Sequence, residues 1–156
     1  MSKPFSWRAF LFFVGGTLLA GFIGGLLGGS TGQYATLKPP PLAPPGWLFA
    51  PVWLLLYTAM GVAAYLVWKT GDEDWGRALR LYGWQLAVNV LWTFFYFRLE
   101  WRLFSFFWIL LLIALVALTI RAFYEHSRLA ALLLIPYLLW LLFAAYLNLG
   151  YYVLNG

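Results

Sequence analysis

Apolar residues along this chain fall into five long runs, separated by short polar connectors. The runs extend from about Phe5 to Gly29, Trp47 to Lys69, Leu79 to Phe97, Leu103 to Phe123 and Leu129 to Val153, and the core of each lacks Asp, Glu, Lys and Arg. About 20 apolar residues are needed for a helix to cross a bilayer. Helices also satisfy their own backbone hydrogen bonds in lipid, and none of the runs shows the alternation of a barrel strand. The pattern therefore predicts an all-α membrane protein, a bundle of five transmembrane helices. The first run competes with a signal peptide, but it is too long and has no clear small-residue cleavage site.

Composition agrees with that solvent. Hydrophobic residues make up 64% of the 156 positions and charged residues 10%, against about 45–50% and about 25% in soluble domains. A water-soluble domain of this size cannot hide so much apolar surface, and the length fits one domain spanning residues 1–156. The formal charge of +5 raises nucleic acid as a partner. The basic residues form no patch or stripe, which argues against it; they sit at the ends of spans, as membrane-edge anchors do. Lys3, Arg8, Lys69, Arg77, Arg80, Arg121 and Arg128 fall on the N-terminal side, and Lys38, Arg98 and Arg102 on the other. That asymmetry predicts an inside N-terminus and an outside C-terminus. The expected location is a plasma membrane for a bacterial chain, with an outer or organellar membrane as the alternative.

No cysteine is present and His126 is the single histidine, so no transition-metal site is expected. No carboxylate pair, intramembrane charge or phosphate-binding glycine loop is present either, which argues against a proton relay, an ion pump or a nucleotide enzyme. The runs show no inverted repeat of the kind many transporters carry.

What stands out is aromatic. Trp7, Trp47, Trp68, Trp75 and Trp101 lie at or beyond span ends, where an indole N–H reaches water or headgroups. Trp53, Trp84, Trp92, Trp108 and Trp140 lie deeper and need another reason. On the third run Gln85, Asn89, Trp92 and Tyr96 share one helical face. These amides serve either as interhelical glue or as the polar side of a pocket. On the fifth, Tyr137, Trp140, Ala144 and Asn148 share a face, with Pro136 predicting a kink and Ala144 leaving room beside a large ring. Trp53 and Tyr57 pair at i and i+4 on the second. Together they predict an apolar, tryptophan-lined space suited to a flat hydrophobic ligand. The first run carries small residues in two rows, Gly16, Ala20, Gly24 and Gly28, and Gly21, Gly25 and Gly29. Such rows let another backbone approach closely, inside the protomer or across a dimer seam.

Between the first two runs lies a stiff segment, YATLKPPPLAPPGWLFAPVW, residues 34–53, with six of the chain's eight prolines. Proline-rich backbone is extended and low in conformational entropy. The segment reads as a lid over the bundle, residues 30–46, with Pro51 inside the first turns of the following helix.

The motifs in order are Tyr34-x-x-Leu37, Pro40, PPGW at 44–47, VW at 52–53, LY at 56–57, MG at 60–61, Asn89-x-x-Trp92 with FFYF, PYLLW at 136–140 and FAAYLN at 143–148. In this order and across all five runs, the chain resembles the TspO/MBR family of tryptophan-rich sensory and translocator proteins. The resemblance implies a five-helix bundle, commonly a homodimer, that binds porphyrins such as protoporphyrin IX, sterols in some members, and benzodiazepine-type ligands. No cofactor is implied beyond porphyrin as a ligand. It places Tyr34, Pro44 and Pro45 on the lid side and Trp53, Asn89, Trp92, Trp140, Ala144 and Leu147 around the cavity. Tyr57, Tyr137, Phe143 and Asn148 complete the candidate ligand-facing set. The positions of Trp53 and Trp140 are tied in some bacterial members to light-dependent porphyrin breakdown, so a porphyrin-degrading enzyme is an alternative to a receptor or carrier. A structural or regulatory membrane partner is the third. The chain departs from the family at the lid, where Pro39 stands in the usual lysine position and Leu42 in that of a tryptophan. Tyr151 and Tyr152 are followed by no basic residue, which argues against sterol.

Overall fold

The computed structural model describes residues 2–29 and 35–156, and among them every regular element is helical. Helix α1 covers Trp7–Gly28, α2 Phe49–Thr70, α3 Trp75–Thr93, α4 Arg102–Tyr124 and α5 Arg128–Asn155. Four of these, all but α3, are long and apolar enough to cross a membrane. The five helices lie on the five predicted runs, and four of them qualify as membrane spans by length and apolarity, α3 falling short. A single π-helical turn, Phe94–Arg98, extends α3 at its C-terminal end, and at the other end the helix begins at Trp75, four residues before the apolar run that predicts it.

Local chemistry sets the ends. The Ser6 side chain accepts from the Ala9 N–H and that of Ser127 from the Ala130 N–H, each at 3.2 Å. These caps satisfy donors left open at the starts of α1 and α5. A 3-10 turn, Gly46–Leu48, leads into α2, and Pro51 is the third residue of that helix, where a missing N–H costs no hydrogen bond. Helix α2 stops at Gly71, whose left-handed backbone (φ 70°) turns its N–H back to Trp68 O. Helix α5 runs unbroken past Pro136.

Helix α5 packs on α4 and α2, α3 packs on α4 and α1, and α1 packs only on α2, α3 and the π turn among the stronger pairings. Its contact with α2 is backbone against backbone: a Cβ added at Gly61 would lie 2.6 Å from Val14 Cα and 2.9 Å from Phe13 O. In lipid, helix association depends on packing of this kind, because acyl chains are as apolar as leucine. Of the α1 small residues, Gly21 faces the Tyr57 ring, and Gly24 and Gly28 face Thr93. These three serve packing within the protomer. Gly16 and Gly25 have nothing within 4 Å of an added Cβ. Ala20 is half-buried.

Several predicted anchors are at the surface, with Trp7, Trp47 and Trp101 all more than half exposed. Trp68 and Trp75 instead flank Lys3, whose Nζ lies 4.2 and 4.6 Å from their ring centroids. Trp84 corrects the sequence reading: it is 68% exposed on the outer face of α3 and has no role inside the protomer. Trp108 has the internal role expected of it, donating from Nε1 to Val88 O at 2.8 Å.

Candidate ligand cavity

A partly open cavity of about 580 Å³ lies at the end of the bundle that carries the α1–α2 and α3–α4 connectors. Leu18, Gly21, Phe22, Gly25, Gly28 and Gly29 from α1 and its C-cap form one wall. Phe49, Ala50, Trp53, Leu54 and Tyr57 of α2 form the next, followed by Trp92, Thr93, Tyr96 and Phe97 of α3 and its π turn, and by Ala144, Leu147 and Asn148 of α5. Helix α4 contributes no wall.

Two aromatic stacks stand in these walls. Trp53 lies over Tyr57 with ring centroids 5.4 Å apart, and Trp92 over Tyr96 at 5.1 Å. The π turn matters for the second: it inserts an extra residue into the helical ladder and keeps both Tyr96 and Phe97 at the cavity. Trp92 is fixed by its Nε1–H donating to Asn148 Oδ1 at 3.0 Å, and Asn148 Nδ2 donates in turn to Arg102 O at 2.8 Å.

Behind the Tyr57 wall runs a buried polar chain. Tyr57 O–H donates to Asn89 Oδ1 at 2.7 Å, Asn89 Nδ2 to Tyr137 Oη at 2.7 Å, and Tyr137 O–H to Gln85 Oε1 at 2.8 Å. Gln85 Nε2 ends the chain on Met60 Sδ at 3.9 Å, a soft acceptor. Gln85, Asn89 and Asn148 are each 1% exposed. The amides thus join α2, α3 and α5 and are engaged by protein groups. The cavity surface they leave is chiefly aromatic, aliphatic and glycine.

Six of the sequence-derived candidates therefore meet at one cavity: Trp53, Tyr57, Trp92, Ala144, Leu147 and Asn148. Asn89 and Tyr137 lie behind its wall in the polar chain. Trp140 and Phe143 form an outer aromatic layer: Trp140 meets Trp53 edge-on at 6.4 Å, with Phe49 at 5.9 Å and Phe143 at 5.7 Å. The Trp140 Nε1 is buried without a protein partner. Pro44 and Pro45 are off the cavity wall, and Tyr34 lies outside the described residues. The described part of the proline segment is tied to α5 instead. Lys38 N–H donates to Asn155 Oδ1 at 2.8 Å, Asn155 Nδ2 donates to Lys38 O at 3.0 Å, and Tyr146 O–H donates to Pro41 O at 2.6 Å. Pro40 is buried close against Gly150.

Sequence reading missed Leu18, Phe22, Phe49, Ala50, Leu54, Thr93 and Phe97 as wall residues. In a chain this apolar, lipid-facing and cavity-facing positions have the same composition. The four-residue spacing of Gly21 and Gly25 was visible, but it did not separate a packing groove from a cavity wall. Among the described residues, no cluster of His, Asp or Glu is arranged to hold a metal ion.

A helical multi-pass membrane protein with an aromatic cavity is thereby defined. The TspO/MBR family matches residues 13–154, and the chain belongs to that family. It is similar to the tryptophan-rich protein TspO of Archaeoglobus fulgidus, 40% identical over 141 residues that cover 89% of this chain and 92% of the relative. The translocator protein of Bos taurus is 40% identical over 147 residues, 86% of this chain and 85% of the relative. That of Homo sapiens is 43% identical over 121 residues, 74% and 70% respectively.

Proposed function

We propose that this protein is a membrane receptor or carrier for flat hydrophobic ligands of the porphyrin class. The observation that carries the reading is the aromatic cavity of about 580 Å³, whose neighbouring amides are already paired with protein groups. A ligand there gains most from burial, at about 25 cal/mol per Å² of apolar surface before association costs. A macrocycle fits such a site better than a polar metabolite, which would leave its hydrogen bonds unmade. Binding with surface transfer accounts for a carrier role without alternating access, and the fold class supports this with one small bundle. The proposal includes self-association as a homodimer, as the family resemblance implies, and an inside N-terminus, as the basic residues imply.

Titration with protoporphyrin IX tests the reading. The purified protein should show saturable quenching of tryptophan fluorescence, because Trp53 and Trp92 line the cavity. Ala144→Trp fills the space from α5 and should weaken binding about tenfold or more, the equivalent of about 1–3 kcal/mol of overpacking. Absence of saturable quenching in the unsubstituted protein, or unchanged affinity in Ala144→Trp, would overturn the assignment. Chemical cross-linking in native membranes checks self-association, with a dimer-sized product expected.

A further inference from the structure

The seam between α1 and α2 widens toward the cavity. At Gly61 the two backbones touch, with an added Cβ only 2.6 Å from Val14 Cα. Two turns along, the Tyr57 ring fills the gap and would lie 2.6 Å from a Cβ on Gly21. One turn further, a Cβ on Gly25 meets nothing within 4 Å. The open end is where both helices line the cavity, Gly25 and Phe22 on one lip and Leu54 and Ala50 on the other. These lip residues also face outward. Phe22 is 64% exposed and Leu54 59%, and both belong to helices apolar enough to lie in a bilayer. A residue that is both a cavity wall and a lipid contact marks an opening, because close packing elsewhere separates the two roles.

We infer that the cavity opens sideways into the bilayer between α1 and α2, and that Gly25 sets the width of that portal. Ligands reach the site from the lipid phase, which selects for flat molecules that partition into membranes. Helix α1 is the more peripheral lip, with neither α4 nor α5 among its stronger packing partners. It packs on α2, α3 and the π turn, and its last turn is held by Arg98, whose Nε donates to Leu27 O at 2.7 Å. A leucine at Gly25 narrows the portal without touching the stacks of Trp53 on Tyr57 or of Trp92 on Tyr96.

The inference rests on the cavity being the ligand site, so its test uses thiol chemistry and no porphyrin. The chain has no cysteine, so the Ala144→Cys variant carries one thiol, on the α5 wall. In lipid nanodiscs that thiol is exposed to N-cyclohexylmaleimide, which partitions into the bilayer, or to a sulfonated maleimide, which stays in water. Rates are normalised to those with glutathione. The apolar reagent should react about tenfold faster, following its enrichment in the hydrocarbon phase. Adding Gly25→Leu or Leu54→Trp should slow it about fivefold by filling the gap. Gly16→Leu, on an open outer stretch of the same helix, should leave it unchanged. Circular dichroism and gel filtration confirm folding, and Leu54→Trp carries the test where Gly25→Leu does not fold. Equal rates for the two reagents, a thiol inert to both, or insensitivity to both lip substitutions would each overturn the portal. The protoporphyrin titration of the unsubstituted protein reports separately on whether the cavity binds a macrocycle.

Discussion

Asn89 shows how much one residue can do in this bundle. It accepts from Tyr57 and donates to Tyr137, so a single amide joins α3 to α2 and to α5. Its placement at i+4 from Gln85 was legible in the sequence, and so was the need of a buried amide for a partner. Which of two roles it filled was not, because partners on other helices have no signature in local spacing. The geometry gives it to the protein interior. Asn89→Ala leaves both tyrosine hydroxyls short of a partner in a dry site, which should lower thermal stability in detergent by about 1–2 kcal/mol. Tyr57→Phe removes one bond and should cost about 0.6 kcal/mol, the usual size of an interhelical hydrogen bond in a membrane protein. Because the two residues share that bond, the double variant should be less destabilised than the sum. Strict additivity in a thermal-unfolding cycle would show that the bond contributes nothing.

Among the elements, α1 and α3 depart most from what an apolar run can tell. The other helices match their runs within a residue or two, since length and apolarity are what a bilayer selects. Helix α3 starts early, at Trp75, because a helix is held by its own hydrogen bonds and continues past the lipid edge through Arg77 and Arg80. It falls short in apolarity because it carries Arg77 and Arg80 as well as Gln85 and Asn89, whose amides bond to α2 and α5. Helix α1 looked like a dimer seam or a packing face along its whole length. The structure divides it: Gly21, Gly24 and Gly28 pack inside the protomer, while Gly16 and Gly25 are open. The closest approach to another helix's backbone falls instead on the α2 glycine, Gly61. Ala at Gly61 meets α1 backbone, which has no rotamer to yield, and should destabilise by about 1–3 kcal/mol. Ala at Gly16 meets nothing and should stabilise by up to about 0.8–1.0 kcal/mol through helix propensity. Thermal unfolding of the two variants side by side checks the pair; similar effects at both sites would mean that α1 is not seated on α2 in this register.

Across the whole molecule, polar tethers bind the connectors at two ends, while the middle is held by packing and by the buried Tyr57–Asn89–Tyr137–Gln85 chain. At one end Lys3 N–H donates to Lys69 O at 2.7 Å, Lys3 Nζ sits between Trp68 and Trp75, and His126 Nδ1 lies 2.9 Å from Asp72 Oδ2. These contacts join the N-terminal segment, the α2–α3 connector and the α4–α5 connector. At the other, Lys38 is held by Asn155, Arg98 holds the last turn of α1, and Arg102 Nη1 donates to Gly156 O at 3.3 Å. The grouping is the one that the count of basic residues assigns to two faces of the membrane, so sequence and geometry agree on which connectors share a side. The proposed inside N-terminus rests on the basic excess alone, since the helices pack equally well in either sense. A thiol on each face decides it. Leu42 is 84% exposed at the Lys38 end, and Glu73 is exposed at the other. In spheroplasts expressing single-cysteine variants, a membrane-impermeant maleimide should label Leu42→Cys directly and Glu73→Cys only after lysis. The reverse pattern would place the N-terminus outside, and with it the cavity end of the bundle on the inner face. That outcome would leave the fold and the lateral portal untouched, because a route through the lipid phase serves a cavity near either face.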